Sequence, residues 1–341
     1  RFLKTAAGTA GFLAFMPCLN AEEALTNAKP LKVGLVGCGG RGLGAMKNAL
    51  DADPGTVVWA LADVFQERID FGAKLLAEQY GNRARLDRSR LFSGLDSYKR
   101  LLQTDIDVVL LCTPPAFRPE HLAAAIDASK HIYAEKPVAV DVPGVLSVLE
   151  SARLAKLKNL VILDGFCWRY DKANEEAHRK LSSGQLGRVL SFDGLYYTTP
   201  PKSPLALDSR PSSDTDVAWA LRNWTAWNWL SGGQFVEQIV HTIDGMVWSM
   251  NEQLPLAAFG SGGRAQRRDD GDVWDHYDVY FEYDHNVTAH ISCRQWVGCH
   301  GEIVDRTICE KGMLVTPYRP YIQANNRWRF RGERGNMYAD T

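Results

Sequence analysis

Glu135-Lys136-Pro137 closes a short apolar run, His131 to Ala134. Lysine is rarely buried unless it is paired, so a lysine at a strand end points to work beside a charged ligand. The proline fixes its own φ and, when cis, makes a tight turn that aims the preceding side chain. The tripeptide is equally compatible with a strand-end turn carrying a solvated lysine. A second set follows Ser231-Gly232-Gly233, where a helix is expected from Gln234 to Met250. Phe235, Val236, Ile239, Val240, Ile243, Met246, Val247 and Met250 would form one face. Glu237, His241, Asp244 and Trp248 would line the other. Residues four apart on a helix are neighbours, so Glu237 is expected to touch His241, orient the imidazole and raise its pKa. Such a histidine is a general base for a hydroxyl group. The same spacing also describes a solvated polar face. No third ligand accompanies the pair, so no metal site is expected.

Two further stretches are ambiguous. Within Gly165 to Asp171, Trp168, Arg169 and Tyr170 either reach a polar substrate or join two domains. Trp219, Trp224, Trp227 and Trp229 offer flat faces for a sugar, or serve as core and subunit contacts.

The elements that must position these residues begin with Leu31 to Val36, a buried-strand pattern. Gly37-Cys38-Gly39-Gly40-Arg41-Gly42 follows as G-x-G-x-x-G, and a helix starts directly after it. The first glycine permits the turn, the second admits a pyrophosphate, and the third allows close helix–strand packing. The helix N-terminus offers free N–H groups to phosphate. Asp63 ends the next apolar run, 63 − 42 = 21 residues beyond the last glycine. A carboxylate there holds a ribose 2′-hydroxyl, which favours NAD over NADP. Arg68 leaves an opening for NADP.

A helix over Glu67 to Tyr80, a strand over Asp107 to Cys112 and a helix over Glu120 to Ser129 continue the alternation. This is the grammar of βαβ units and a doubly wound parallel sheet. From Val189 the pattern changes to longer strands, at Val189–Thr199, His276–Tyr283 and Val287–Trp296. Turns are expected at Asp284-His285-Asn286 and Glu310-Lys311-Gly312. The expected fold is therefore α/β: an N-terminal Rossmann sheet, then an α+β domain with a mostly antiparallel sheet. The segment from Thr198 to Asp216 reads as a long loop, a common place for function.

The chain has 341 residues, enough for about two domains. Its net charge of −1 argues against a nucleic-acid partner, and no apolar run is long enough to span a membrane. The N-terminus stands apart. Arg1-Phe2-Leu3-Lys4, an apolar stretch from Ala6 to Leu19, and Leu19-Asn20-Ala21 resemble the tail of a twin-arginine export signal. Export to the periplasm is expected; without a signal, the protein would stay in the cytoplasm. The seven cysteines are scattered with no C-x-x-C pair, so they read as free thiols formed in a reducing cytoplasm before export.

With these residues in hand, the sequence from about Lys32 to Tyr318 resembles the Gfo/Idh/MocA oxidoreductases. The resemblance rests on Gly37–Gly42, Cys112-Thr113-Pro114-Pro115, Gly165–Asp171, Gly233–Asp244 and above all Glu135-Lys136-Pro137. It implies a signal and linker over 1–29, a Rossmann domain over 30–160 and a substrate and oligomer domain over 161–341. The open sheet of that second domain would form a homodimer or homotetramer. The resemblance implies a tightly bound NAD, or NADP, held by Gly37, Gly39, Gly40, Arg41, Gly42, Asp63, Thr113, Pro114, Glu135 and Lys136. A small carbohydrate or polyol would meet Trp168, Arg169, Tyr170, Glu237 and His241. The family's D-x-x-x-H pair becomes Glu237-x-x-x-His241 here, one methylene longer in the acid. The implied reaction is hydride transfer between a sugar or cyclitol carbon and the nicotinamide, with Lys136 and His241 handling the hydroxyl proton. An NAD-dependent glycosidase that oxidises, eliminates and reduces would need the same residues. A non-catalytic NAD and sugar sensor is a third reading. The chain opens without Met and stops at Thr341 before the family's last helix, so both ends are expected to be incomplete.

Overall fold

A computed structural model describes residues 29–84, 86–200, 205 and 207–341. The expected export signal and most of its linker lie outside these residues, as does part of the loop from Thr198 to Asp216.

In the first half, β1 (Leu31–Val36), β2 (Thr56–Asp63) and β3 (Leu91–Ser93) are joined by α1 (Gly40–Ala52) and α2 (Gln66–Tyr80). Then come α3 (Ser97–Leu102), β4 (Val108–Leu111), α4 (Arg118–Asp127), β5 (His131–Ala134), α5 (Val142–Leu157) and β6 (Ile162–Asp164). The strands pair in parallel in the order β3-β2-β1-β4-β5-β6. The order in which strands are added therefore reverses between β1 and β4, where doubly wound folds place their ligands. One apolar cluster around Leu35, Met46 and Leu61 fills one face, and another around Val109, Leu111 and Leu122 fills the other. Burial on both faces is why these strands read as near-continuous apolar runs.

The second half comprises α6 (Lys172–Ser182), β7 (Val189–Thr198), α7 (Asp216–Arg222), α8 (Asn228–Ser231), α9 (Gly233–Glu237) and α10 (Val240–Ser249). It continues through β8 (Ala257–Gly263), β9 (His276–Glu282), β10 (Thr288–Gln295), β11 (Glu302–Cys309), β12 (Gly312–Thr316), β13 (Tyr321–Ala324), β14 (Trp328–Arg329) and α11 (Met337–Asp340). Eight strands pair in the order β14-β13-β12-β11-β7-β10-β9-β8. Pairing is antiparallel except between β7 and β10. On β10, Ala289, Ile291, Cys293 and Gln295 alternate inward, the period of a half-covered sheet. Helix α10 lies on that inner face. Gly194 on β7 makes room for it, since a Cβ there would stand 2.4 Å from Thr242 Cγ2.

The expected single helix from Gln234 to Met250 is two helices with a break at Gln238 and Ile239. Lys136 sits at the break. Its Nζ donates to the Glu237 carbonyl oxygen at 2.5 Å, the acceptor that His241 N–H would use in an unbroken helix. His241 N donates instead to Gln238 O, and Ile239 N reaches back five residues to Gln234 O. Such bulges often accompany functional sites.

Candidate active site

The glycine loop turns off β1 with Gly37 at φ +97°, a conformation that favours glycine. Gly37 N donates to Ala62 O at 2.8 Å, which hooks the loop over the end of β2. Gly42 must lack a side chain, because a Cβ there would lie 1.8 Å from Gly37 O. No side chain caps α1, so its N-terminal N–H groups are left to a ligand. Asp63 is held rigid, accepting from Cys38 N at 2.7 Å and Phe65 N at 2.9 Å. Burial raises its pKa, against the pull of those N–H groups and of Arg68. Arg68 stands 4.0 Å from it and lies over the Phe65 ring. Gly37, Gly39, Gly40, Arg41, Gly42, Asp63, Thr113 and Pro114 all line one cleft. A Cβ at Gly39 or Gly40 would meet nothing within 4 Å. A glycine cradle with open space, a bare helix N-terminus and a fixed carboxylate fit a dinucleotide.

A second cavity opens beside the first, with Arg41, Cys112, Thr113 and Trp224 common to both. Lys136, Glu135, Glu237, His241, Arg118 and Tyr338 also line it. Lys136 donates to Glu237 Oε1 at 3.0 Å, with both side chains largely buried at 15% and 19% exposure. The Lys136–Pro137 bond is cis. Glu135 is 6% exposed and accepts from Arg41 Nε at 2.5 Å and from the Tyr133 hydroxyl at 2.8 Å. It thus ties the glycine loop to the lysine turn. His241 is buried against Trp168, ring centroids 4.8 Å apart, with Phe166 edge-on at 6.0 Å. Its Nδ1 has no partner among the described residues. Burial first, and the Lys136 charge second, push its pKa down to about 3.

Residues 31–162 match a family described as an oxidoreductase family with an NAD-binding Rossmann fold. Residues 174–338 match the GFO/IDH/MocA C-terminal domain. The chain belongs to the Gfo/Idh/MocA family. A relative from Actinomadura kijaniata, dTDP-3,4-didehydro-2,6-dideoxy-alpha-D-glucose 3-reductase, is 29% identical over 177 residues, 52% of this chain and 48% of that one. Inositol 2-dehydrogenase of Salmonella typhimurium is 25% identical over 227 residues, 65% of this chain and 55% of that one. The chain spans about half the length of the curated relatives it matches. Among solved structures, aldose-aldose oxidoreductase from Caulobacter crescentus has a TM-score of 0.69 at 18% identity, covering 91% of this chain and 86% of that one. At that identity the likeness speaks for the fold.

Several Gfo/Idh/MocA site expectations change shape in the structure. Glu237 grips Lys136 rather than His241, because the helix breaks between the two. The imidazole pKa falls instead of rising, since burial and a neighbouring cation replace the expected carboxylate. Arg169 does not line the cavity: its Nε meets both Asp244 oxygens at 2.9 Å and its Nη1 meets Glu252 at 2.8 Å. Tyr170 does not line it either, and Trp168 acts through its stack on His241. Of the four clustered tryptophans, Trp224 lines both cavities while Trp219 is core. Sequence reasoning missed Arg118 and Tyr338. A lone cation between Phe117 and Pro119 was a signal for the first; nothing local marked the second, which arrives from the far end of the chain.

Proposed function

We propose that the protein oxidises a hydroxyl carbon of a sugar or polyol, or reduces the corresponding ketone, with Lys136 and His241 handling the oxygen and its proton. The observation that carries this reading is the meeting of Lys136, Glu237 and a neutral His241 in a cavity that adjoins the dinucleotide cleft. NAD, when bound, supplies the two-electron chemistry at its nicotinamide. Lys136 points a fixed ammonium group at the substrate oxygen, where it stabilises developing negative charge. Glu237 holds that ammonium from two oxygens, so little reorganisation is needed when charge appears. His241 is neutral and can accept the hydroxyl proton. A depressed pKa makes it a weak base at first; negative charge on the substrate oxygen raises it as the reaction proceeds. Trp168 and Phe166 hold the ring plane. The aldose, inositol and deoxysugar substrates in the relatives' names support a sugar or polyol substrate.

The test is kcat/KM of Lys136→Ala and His241→Ala across a panel of inositols, aldoses and their acids, followed as NADH formation. Each variant should lose about 10²–10⁴-fold while binding NADH within a few-fold of wild type. Turnover surviving in both variants within about tenfold, or 1.4 kcal/mol of barrier, refutes the assignment.

A further inference from the structure

The charges around the inner cavity do not balance. Arg41, Arg118 and Lys136 line it against Glu135 and Glu237, so three cations less two anions leave one positive charge in excess. Both carboxylates are already engaged. Glu135 takes Arg41, and Glu237 takes Lys136. His241 is neutral and adds no charge.

The surplus belongs to Arg118. Its side chain is among the largest fully buried ones, at 1% exposure. Its Nη1 donates to Pro137 O and its Nη2 to Thr113 O, both neutral carbonyls. Its Nε is buried without a partner among the described residues. Burial pulls the guanidinium below its ordinary value, and the neighbouring Cys112, Glu135, Tyr133 and Glu237 offset that only in part. A buried charge normally has an ionic partner, because desolvation is otherwise uncompensated. Cofactor phosphates are not that partner: Arg118 lines the inner cavity and is absent from the glycine-loop cleft.

We propose that the substrate itself carries the missing negative charge, as a carboxylate-bearing sugar or polyol such as a uronate or an aldonate. The proposal rests on the oxidoreductase reading above and narrows its substrate class. One carboxylate matches the single excess charge. A phosphate monoester brings about 1.5–2 negative charges and overshoots it. The carboxylate would sit on the Arg118 side of the cavity, leaving a hydroxyl carbon for Lys136 and His241.

The experiment uses the NADH-loaded protein at constant ionic strength. NADH fluorescence is titrated with D-glucuronate, D-glucose, D-galacturonate, D-galactose and D-glucose 6-phosphate. Each uronate should bind at least about tenfold more tightly than its neutral parent, and more tightly than the phosphate. Arg118→Lys should keep the preference and Arg118→Gln should lose it. If Arg118→Gln does not fold, the wild-type comparison and Arg118→Lys decide alone. Equal binding of acid and neutral sugar, or binding of neither, overturns the proposal. A stronger response to the phosphate overturns the carboxylate assignment. NADH formation from neutral sugars but not from uronates sinks this proposal while leaving the oxidoreductase reading intact. Failure to bind NADH at all removes both.

Discussion

The two cavities share a wall and are built on opposite principles. The glycine-loop cleft presents backbone: bare N–H groups, a turn with φ +97° and one carboxylate fixed by two N–H donors. Its essential parts lie between Gly37 and Asp63, inside one βαβ unit. The inner cavity presents charged side chains, paired across 94 residues for Arg41–Glu135 and 101 for Lys136–Glu237. The cleft recognises a ligand by shape and fixed dipoles. The inner cavity holds charges whose values depend on one another. Damage to the cleft should therefore be geometric and local; damage to the cavity should be electrostatic and spread.

The largest expected effect separates two glycines in one loop. In Gly42→Ala the new Cβ meets backbone at 1.8 Å, so the loop itself must move. Apo thermal stability should fall and NADH affinity should drop by more than about a hundredfold. Gly39→Ala meets nothing within 4 Å and has an ordinary φ of −74°. Its apo melting curve should match wild type, while affinity falls about tenfold through contact with the pyrophosphate. Calorimetry of the apo protein and fluorescence titration with NADH read both. Equal losses of apo stability in the two variants would mean that the cleft is not a preformed cradle.

This contrast also sets what could be read from the chain. Gly37–Gly42 and Asp63 were legible because their parts sit on neighbouring elements whose periodicity fixes their geometry. The parallel sheet and the mostly antiparallel one followed from the same periodicity, although the parallel β7–β10 pair did not. Lys136 was legible as a placed charge, but its partner was not. Spacing alone offered Glu237 to His241, and only tertiary packing shows the lysine taking the carbonyl that their helix needed. Arg118 stayed hidden for a related reason: the meaning of a cation depends on which carboxylates fail to reach it. Arg169 was drawn into the site by sequence proximity to Trp168, and the structure spends it on Asp244 and Glu252.

Arg169 gives the intermediate prediction. Arg169→Met should lower stability by roughly 2–3 kcal/mol, at the lower end for a broken buried pair because the arginine is partly exposed. NADH affinity should stay within about twofold, since the residue lines neither cavity. Burial already raises the Asp244 pKa even with Arg169 present, so the stranded acid will take up a proton more readily. The cost should accordingly shrink as pH is lowered. A rise in substrate KM with an unchanged urea midpoint would instead return Arg169 to the substrate site.

The last prediction tests how dry the inner cavity is, by comparing His241 with a histidine in solid core. His178 is 3% exposed and stacks on Trp248 with centroids 3.7 Å apart. Burial, with Arg169 nearby, holds its pKa down to about 3, the same as His241. Below pH 6.5 the unfolded chain binds a proton on each that the folded protein refuses until about pH 3. Stability is therefore lost as pH falls through that window. Asp63, Asp164, Asp244 and Asp305 act the other way, because burial raises their pKa values and the folded protein keeps protons there. The whole-protein slope mixes both signs, so each histidine is read as a difference from its own variant. His178→Phe keeps the stack and should gain on wild type by up to about 1.4 kcal/mol per pH unit below 6.5, from urea midpoints between pH 7.5 and 4. His241→Phe provides the matching measurement. An equal slope would mean the substrate cavity is as dry around His241 as the core is around His178. A shallower one would mean that water reaches the imidazole before substrate does, leaving it a stronger base at the start of the reaction. A flat difference for His178 itself would remove burial as the cause of the low pKa in both places.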